Sequence, residues 1–177
     1  MKKIVWTFGL IAGGILAGMM FLTMPFIDQL ADKAVVIGYA SMVLAFLTVY
    51  FGIRAYRDNV MAGAIGFGRA FKVGILIALI GSLCYVAAWE VIYYTMAPDF
   101  MEKYSARAVE KARAAGASEA ALAAKKEEMA KMTELYKNPA INVGATFVEV
   151  FWVGLVMVLI SAAVLRKDPA GGKAMAG

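Results

Sequence analysis

The sequence contains no histidine and a single cysteine, Cys84. Lack of histidine removes the usual zinc, haem and non-haem iron ligand, and the commonest general base. One thiol cannot close a disulfide within the chain, so cysteine usage does not identify a compartment. Charge is scarce as well. Only 18% of the 177 residues are Asp, Glu, Lys or Arg, and these cluster between long apolar runs. What fills the chain instead is apolar: 62% of residues are hydrophobic, well above the soluble average. This is the composition of an integral membrane protein.

Four apolar runs stand out, at about residues 4–26, 34–53, 73–96 and 141–165. Each holds about 20 residues or more, which at about 1.5 Å per residue crosses a hydrocarbon core of roughly 30 Å. Backbone groups in lipid must be paired internally, so each run is predicted to be a helix. The fold expected is all-α, an integral membrane four-helix bundle forming a single membrane domain. The first run follows "MKK" and resembles a signal peptide. It is longer than a usual signal core and ends in no clean small-x-small site, so it is expected to be a retained span.

Basic residues set the direction. Lys2 and Lys3 precede the first run, Arg54, Arg57, Arg69 and Lys72 lie between the second and third, and Arg166, Lys167 and Lys173 follow the fourth. Only Asp58 and Asp168 oppose these nine cations, whereas the turn between the first two runs carries Asp28, Asp32 and Lys33. By the positive-inside rule both termini and the 54–72 loop are cytoplasmic and residues 97–140 lie outside, in the periplasm. The protein is thus expected in a bacterial inner membrane, with anionic lipid against its cytoplasmic side. This topology accounts for the net charge of +5 without a nucleic-acid partner.

The outer insert is rich in Ala, Glu, Lys and Met, all strong helix formers. Pro98 is suited to open a helix, Gly116 to stop it, Ser118 to cap a second, and Asn138-Pro139 to end that one. Met101, Tyr104, Ala108 and Ala112 form one stripe, and Leu122, Met129, Met132 and Tyr136 another. An extracytoplasmic helical hairpin is predicted over 97–140. One bent helix on the lipid surface is the alternative. A flexible cytoplasmic tail is expected over 166–177.

Lipid supplies no hydrophobic drive for helix association, so small residues must permit close approach. Gly9, Gly13, Gly14 and Gly18 on the first span make two G-x-x-x-G spacings, which point to helix packing, within the chain or in a homo-oligomer. Two acids, Glu90 and Glu149, interrupt apolar runs with no basic residue nearby in the spans. Asn142 and Thr146 share a helical face with Glu149, at i−7 and i−3. Two unpaired carboxylates in low dielectric are unsuited to both remaining ionised. Glu90, Glu149, Thr146 and Asn142 are therefore a candidate proton or cation site. The plainer reading is that each acid meets interfacial water or donates to a neighbouring carbonyl.

The inner loop "GIRAYRDNVMAGAIGFGRAFKVG", residues 52–74, is the most distinctive pattern. Arg54, Arg57, Asp58, Arg69 and Lys72 suit contact with lipid phosphates or with a cytoplasmic partner. Gly66-Phe67-Gly68 lacks the third glycine and the preceding strand of a dinucleotide site. No cofactor, metal site or catalytic set is expected. Twelve methionines lie mostly singly on apolar faces, where gap-filling explains them.

"FGIRAYRDN", then "IGFGRAFKVG", a helical insert ending in "NP", and a final "TFVEVFWVGLVMVLISAAVLRK" together resemble the bacterial four-span membrane proteins grouped as domain of unknown function 4199, along nearly the whole chain. The resemblance implies an inner-membrane protein with four helices and no assigned activity or cofactor. It also implies that Arg54, Arg57, Asp58, Glu90 and Glu149 belong to the family pattern. Two uses remain open. One is a noncatalytic membrane component whose hairpin and inner loop engage lipid, another membrane protein or a second copy. The other is a small transporter, channel subunit or proton/cation-binding protein built on the two glutamates.

Overall fold

The structure is a computed structural model that describes residues 1–27, 29–30 and 33–167. Asp28, Asp32, Asp168, Lys173 and the tail beyond residue 167 lie outside the described residues. The described chain is all-helical, with six α-helices and no strand. They are α1 (Lys2–Thr23), α2 (Ala34–Val60), α3 (Phe67–Val91), α4 (Phe100–Ala114), α5 (Glu119–Tyr136) and α6 (Pro139–Leu165). A 3-10 turn (Met24–Phe26) extends α1, and a π-helical turn (Ile92–Met96) extends α3. Four of these segments, Lys2–Phe26, Ala34–Val60, Phe67–Met96 and Pro139–Leu165, are long and apolar enough to cross a membrane.

Two of the helices run past the apolar stretches that announce them. α2 continues to Val60, so Arg54, Arg57 and Asp58 stand on its last turns rather than in a loop. α3 begins at Phe67, which places Arg69 and Lys72 in its first turns. Hydropathy marks where lipid ends, and a helix of Arg, Tyr and Asp can continue beyond that point. The true connection is the short turn around Ala62 (φ 50°) and Gly63 (φ 85°). Backbone hydrogen bonds in both directions between Ile65 and Lys167 (3.0 and 2.9 Å) tie it to the end of α6.

The contacts divide the chain into two compact units, Met1–Ala88 with Phe147–Gly177, and Trp89–Thr146. In the first, one core draws Val5 and Leu16 from α1, Phe46, Val49 and Ile53 from α2, Val73 and Ile77 from α3, and Val150 and Val158 from α6. Glycines set the spacing. A Cβ on Gly9 would lie 2.7 Å from Ile80 Cβ, and one on Gly13 would lie 2.5 Å from Cys84 Cβ. Gly74 packs against Ile53 and Val158, and Gly154 against Phe46 and Ala78. From these pairings α1 and α3 run one way, and α2 and α6 the other. Gly14 and Gly18 meet nothing within 4 Å, so they lie off this contact.

In the second unit α4 and α5 pack on each other. Gly116, at φ 80°, turns the chain between them in a conformation glycine adopts freely. The Ser118 side chain then accepts from the Ala121 amide at 3.3 Å and starts α5. Pro98 lies just before α4, which begins at Phe100. Asn138 does more than end α5: its side chain accepts from the Ala140 amide at 3.0 Å, at the start of α6. The expected stripe on α4 needs one correction. Met101 is buried, but Tyr104 is 47% exposed. Ser105 takes the inner position, 3.2 Å from the Thr133 hydroxyl. A hydroxyl pair closes an interface that apolar patterning alone does not reveal.

Candidate functional site

The first polar cluster lies within the second unit. Asn142, in the first turn of α6, is fully buried. Its Oδ1 accepts from the Trp89 indole N–H at 2.9 Å and from the Thr146 hydroxyl at 3.4 Å. Its Nδ2 is buried without a partner, as is Oε1 of half-buried Glu90. Unpaired buried polar atoms are uncommon and costly, about 1–3 kcal/mol each. Trp89 packs edge-on against Phe100, with ring centroids 4.9 Å apart, and Tyr93 lies beside it at 5.7 Å. The sequence names Asn142, Thr146 and Glu90, but not Trp89, whose hydrogen bond joins the cluster. An indole donor one residue before a spanning acid was the available signal.

The second cluster lies in the first unit. Glu149 on α6 is exposed on the helix surface. Tyr39 on α2, 46% exposed, lies near it. Tyr85 on α3 is half-buried in the same region. Neither tyrosine is singled out by the sequence, because partners on separate helices have no fixed spacing. Thr23 and Ser41 do not join in. Their hydroxyls donate to carbonyls of their own helices, Met19 at 2.8 Å and Ile37 at 2.7 Å, the usual use of such hydroxyls inside a helix.

The basic end of the first unit has a defined arrangement. Asp58 pairs with Arg57 at 2.7 Å and with Arg54 at 3.6 Å. Among the described residues Arg69 reaches only the Met61 sulfur, at 3.4 Å, a weak acceptor that leaves most of the guanidinium's donors for other groups. Lys72 is exposed, and Phe67 stacks on Phe71 at 6.1 Å beside it.

The sequence matches the family described as a protein of unknown function, DUF4199, over residues 7–167. The chain belongs to that family. No curated protein and no solved structure matches it.

The DUF4199 match runs through every cluster above and through the α4–α5 pair. That pair carries an open groove of about 540 Å³. It is lined by Ala106, Val109, Met129 and Ala130 together with the charged Glu102, Lys126, Glu134 and Lys137. Glu134 binds Lys137 at 2.8 Å and holds its ammonium above the usual lysine range. Asp99 binds Lys103 at 2.8 Å, which keeps its carboxyl below the usual carboxylate range. Leu135, next to Glu134 on α5, is 54% exposed.

Proposed function

We propose that this DUF4199 protein is a noncatalytic component of a bacterial inner membrane. Its α1, α2, α3 and α6 form a four-helix membrane bundle. Its α4 and α5 form an extracytoplasmic hairpin that engages a membrane-protein partner or a second copy. Both termini and the Arg54–Lys72 segment face the cytoplasm, where the basic residues meet anionic lipid. The orientation is supported by the bias of Lys and Arg toward one set of helix ends. The observation that carries the partner reading is the α4–α5 groove, with exposed Tyr104 and Leu135 on the same two helices. Two helices that bury little more than Met101, Leu122 and Met129 have apolar surface left for a further contact.

Purification of the full chain from native membranes in mild detergent tests this. A stoichiometric partner, or a self-associated species, is expected, and Tyr104→Glu with Leu135→Glu should release it. A chain that purifies alone and monomeric contradicts the reading.

A second reading has its own support. The unpaired Glu90 Oε1 and Asn142 Nδ2 would suit a proton- or cation-binding role in a small transporter or channel subunit. Glu90→Gln and Glu149→Gln variants that fold normally but lose ion-dependent behaviour in vesicles would favour it.

A further inference from the structure

We propose that the α4–α5 groove docks a second copy of this chain, with the two α5 helices antiparallel about Ala130. This rests on the reading of the hairpin as a docking element, and it names the occupant. Ala106 and Ala130 are exposed in the groove, between its charged ends. Their small side chains let a second helix approach closely, because the side chains at a contact set the distance between helices. A helical hairpin presents one broad face, and two such faces packed together make a four-helix bundle.

The charges select the occupant. The turn at Gly116 and the contact of Ser105 with Thr133 set α4 and α5 antiparallel. One end of the groove therefore gathers Glu102, Glu134 and Lys137, two acids against one base. The other end has Lys126. Lys126 makes no ion pair among the described residues, although its neighbours do: Lys125 binds Glu128 at 3.0 Å and Lys131 binds Glu127 at 2.7 Å. Lys126 and Glu134 stand four residues to either side of Ala130, about one helical turn each. A two-fold axis at Ala130 therefore sets Lys126 of each copy against Glu134 of the other. Glu134 already holds Lys137 at 2.8 Å, and a carboxylate has acceptor sites for a second cation. Parallel docking would set lysine against lysine and glutamate against glutamate, which is repulsive. A second copy carries the matching pattern by symmetry, whereas any other partner must supply it separately. Two copies that cross one bilayer in the same direction share an axis along its normal, so the paired α5 helices lie across that axis.

Ala130→Cys on a Cys84→Ala background tests the contact in native membranes. A residue at a two-fold axis meets its own copy, so oxidation should link Ala130→Cys chains into dimers. Glu128→Cys, on the opposite side of α5, should not link. In detergent micelles, sedimentation equilibrium of the full chain reads the dimer dissociation constant. Lys126→Glu should raise it about tenfold, and adding Glu134→Lys to that variant should restore most of the loss. Circular dichroism checks that each variant keeps its helices. Should Lys126→Glu not fold, Lys126→Gln serves, with about a threefold rise expected. Absence of the Ala130→Cys link overturns the proposal. So does a dimer that the folded Lys126 variant leaves unweakened, or that the charge-exchanged chain fails to restore. A stoichiometric membrane protein in the same preparation would then leave the docking reading intact, and a lone monomer would contradict both.

Discussion

Asn142 stands in the middle of the second unit's polar contacts. Its Oδ1 takes both available donors while its Nδ2 goes unpaired. Replacing Trp89 by Phe keeps the ring packing and removes one hydrogen bond, so a loss of about 1 kcal/mol is expected. Asn142→Leu removes the acceptor and the orphaned donor together. In the double variant no indole is left without a partner. Its cost should therefore fall short of the sum of the single costs by at least about 0.5 kcal/mol. Reversible unfolding in micelles measures this, and strict additivity would show that the hydrogen bond contributes nothing.

Asp99 makes a pH prediction at the same scale. Its pairing with Lys103 lowers its proton affinity in the folded chain below the ordinary value of 3.8. A lowered folded value means stabilisation that is present above pH 3.8 and lost as pH falls through the folded value. The start of α4 should fray below that point, while the Asp99→Asn chain should show no such step. Amide exchange across residues 99–103, followed against pH, reads it directly. Equal profiles for the two chains would remove the ion pair from the explanation.

Among the helices, the glycines separate into those in contact and those that are not. Gly13→Leu would drive a side chain into Cys84 and should destabilise the first unit by about 1–3 kcal/mol. Gly14→Leu meets nothing and should be nearly neutral. Similar losses for both would mean that Gly14 faces a partner. Ser118→Ala removes the cap of α5 and should cost about 1 kcal/mol, visible as lower helicity or earlier thermal unfolding.

The four long apolar segments, the Gly116 stop and the Ser118 cap were legible in the sequence, since hydropathy and turn chemistry are local. Which glycines touch was not. Gly13 and Gly14, which belong to different G-x-x-x-G spacings on α1, are adjacent and so point about 100° apart, and only the neighbouring helix chooses between them. The neighbours of Glu149 were hidden for a similar reason. Tyr39 and Tyr85 are brought to it by tertiary packing, and no spacing within one helix encodes that. The inner arginines were legible as a charge cluster, but their place on α2 was not, because polarity ends a span without ending a helix.

At the scale of the whole molecule, four apolar helices, a family match over residues 7–167 and a strong charge bias agree on a membrane protein. The basic residues Lys2, Lys3, Arg54, Arg57, Arg69, Lys72, Arg166 and Lys167 stand at one set of helix ends, opposed among the described residues by Asp58. The hairpin carries mixed charge, eight basic and seven acidic residues over 97–140, so it resists neither translocation nor contact with a similar surface. In vesicles, anionic phosphatidylglycerol should bind the basic end more tightly than neutral lipid. Removing Arg69 and Lys72 together should weaken that by roughly 1 kcal/mol per charge.

The orientation itself is open to one direct measurement. A Cys84→Ala background carries a new cysteine either at Ser118, in the α4–α5 turn, or at Ala64, in the inner turn. Intact spheroplasts are then treated with a membrane-impermeant maleimide. Ser118→Cys should label at once, and Ala64→Cys only after the membrane is opened. The reverse pattern would invert the protein in its bilayer, and immediate labelling of both would contradict the proposal that these turns lie on opposite sides of the membrane.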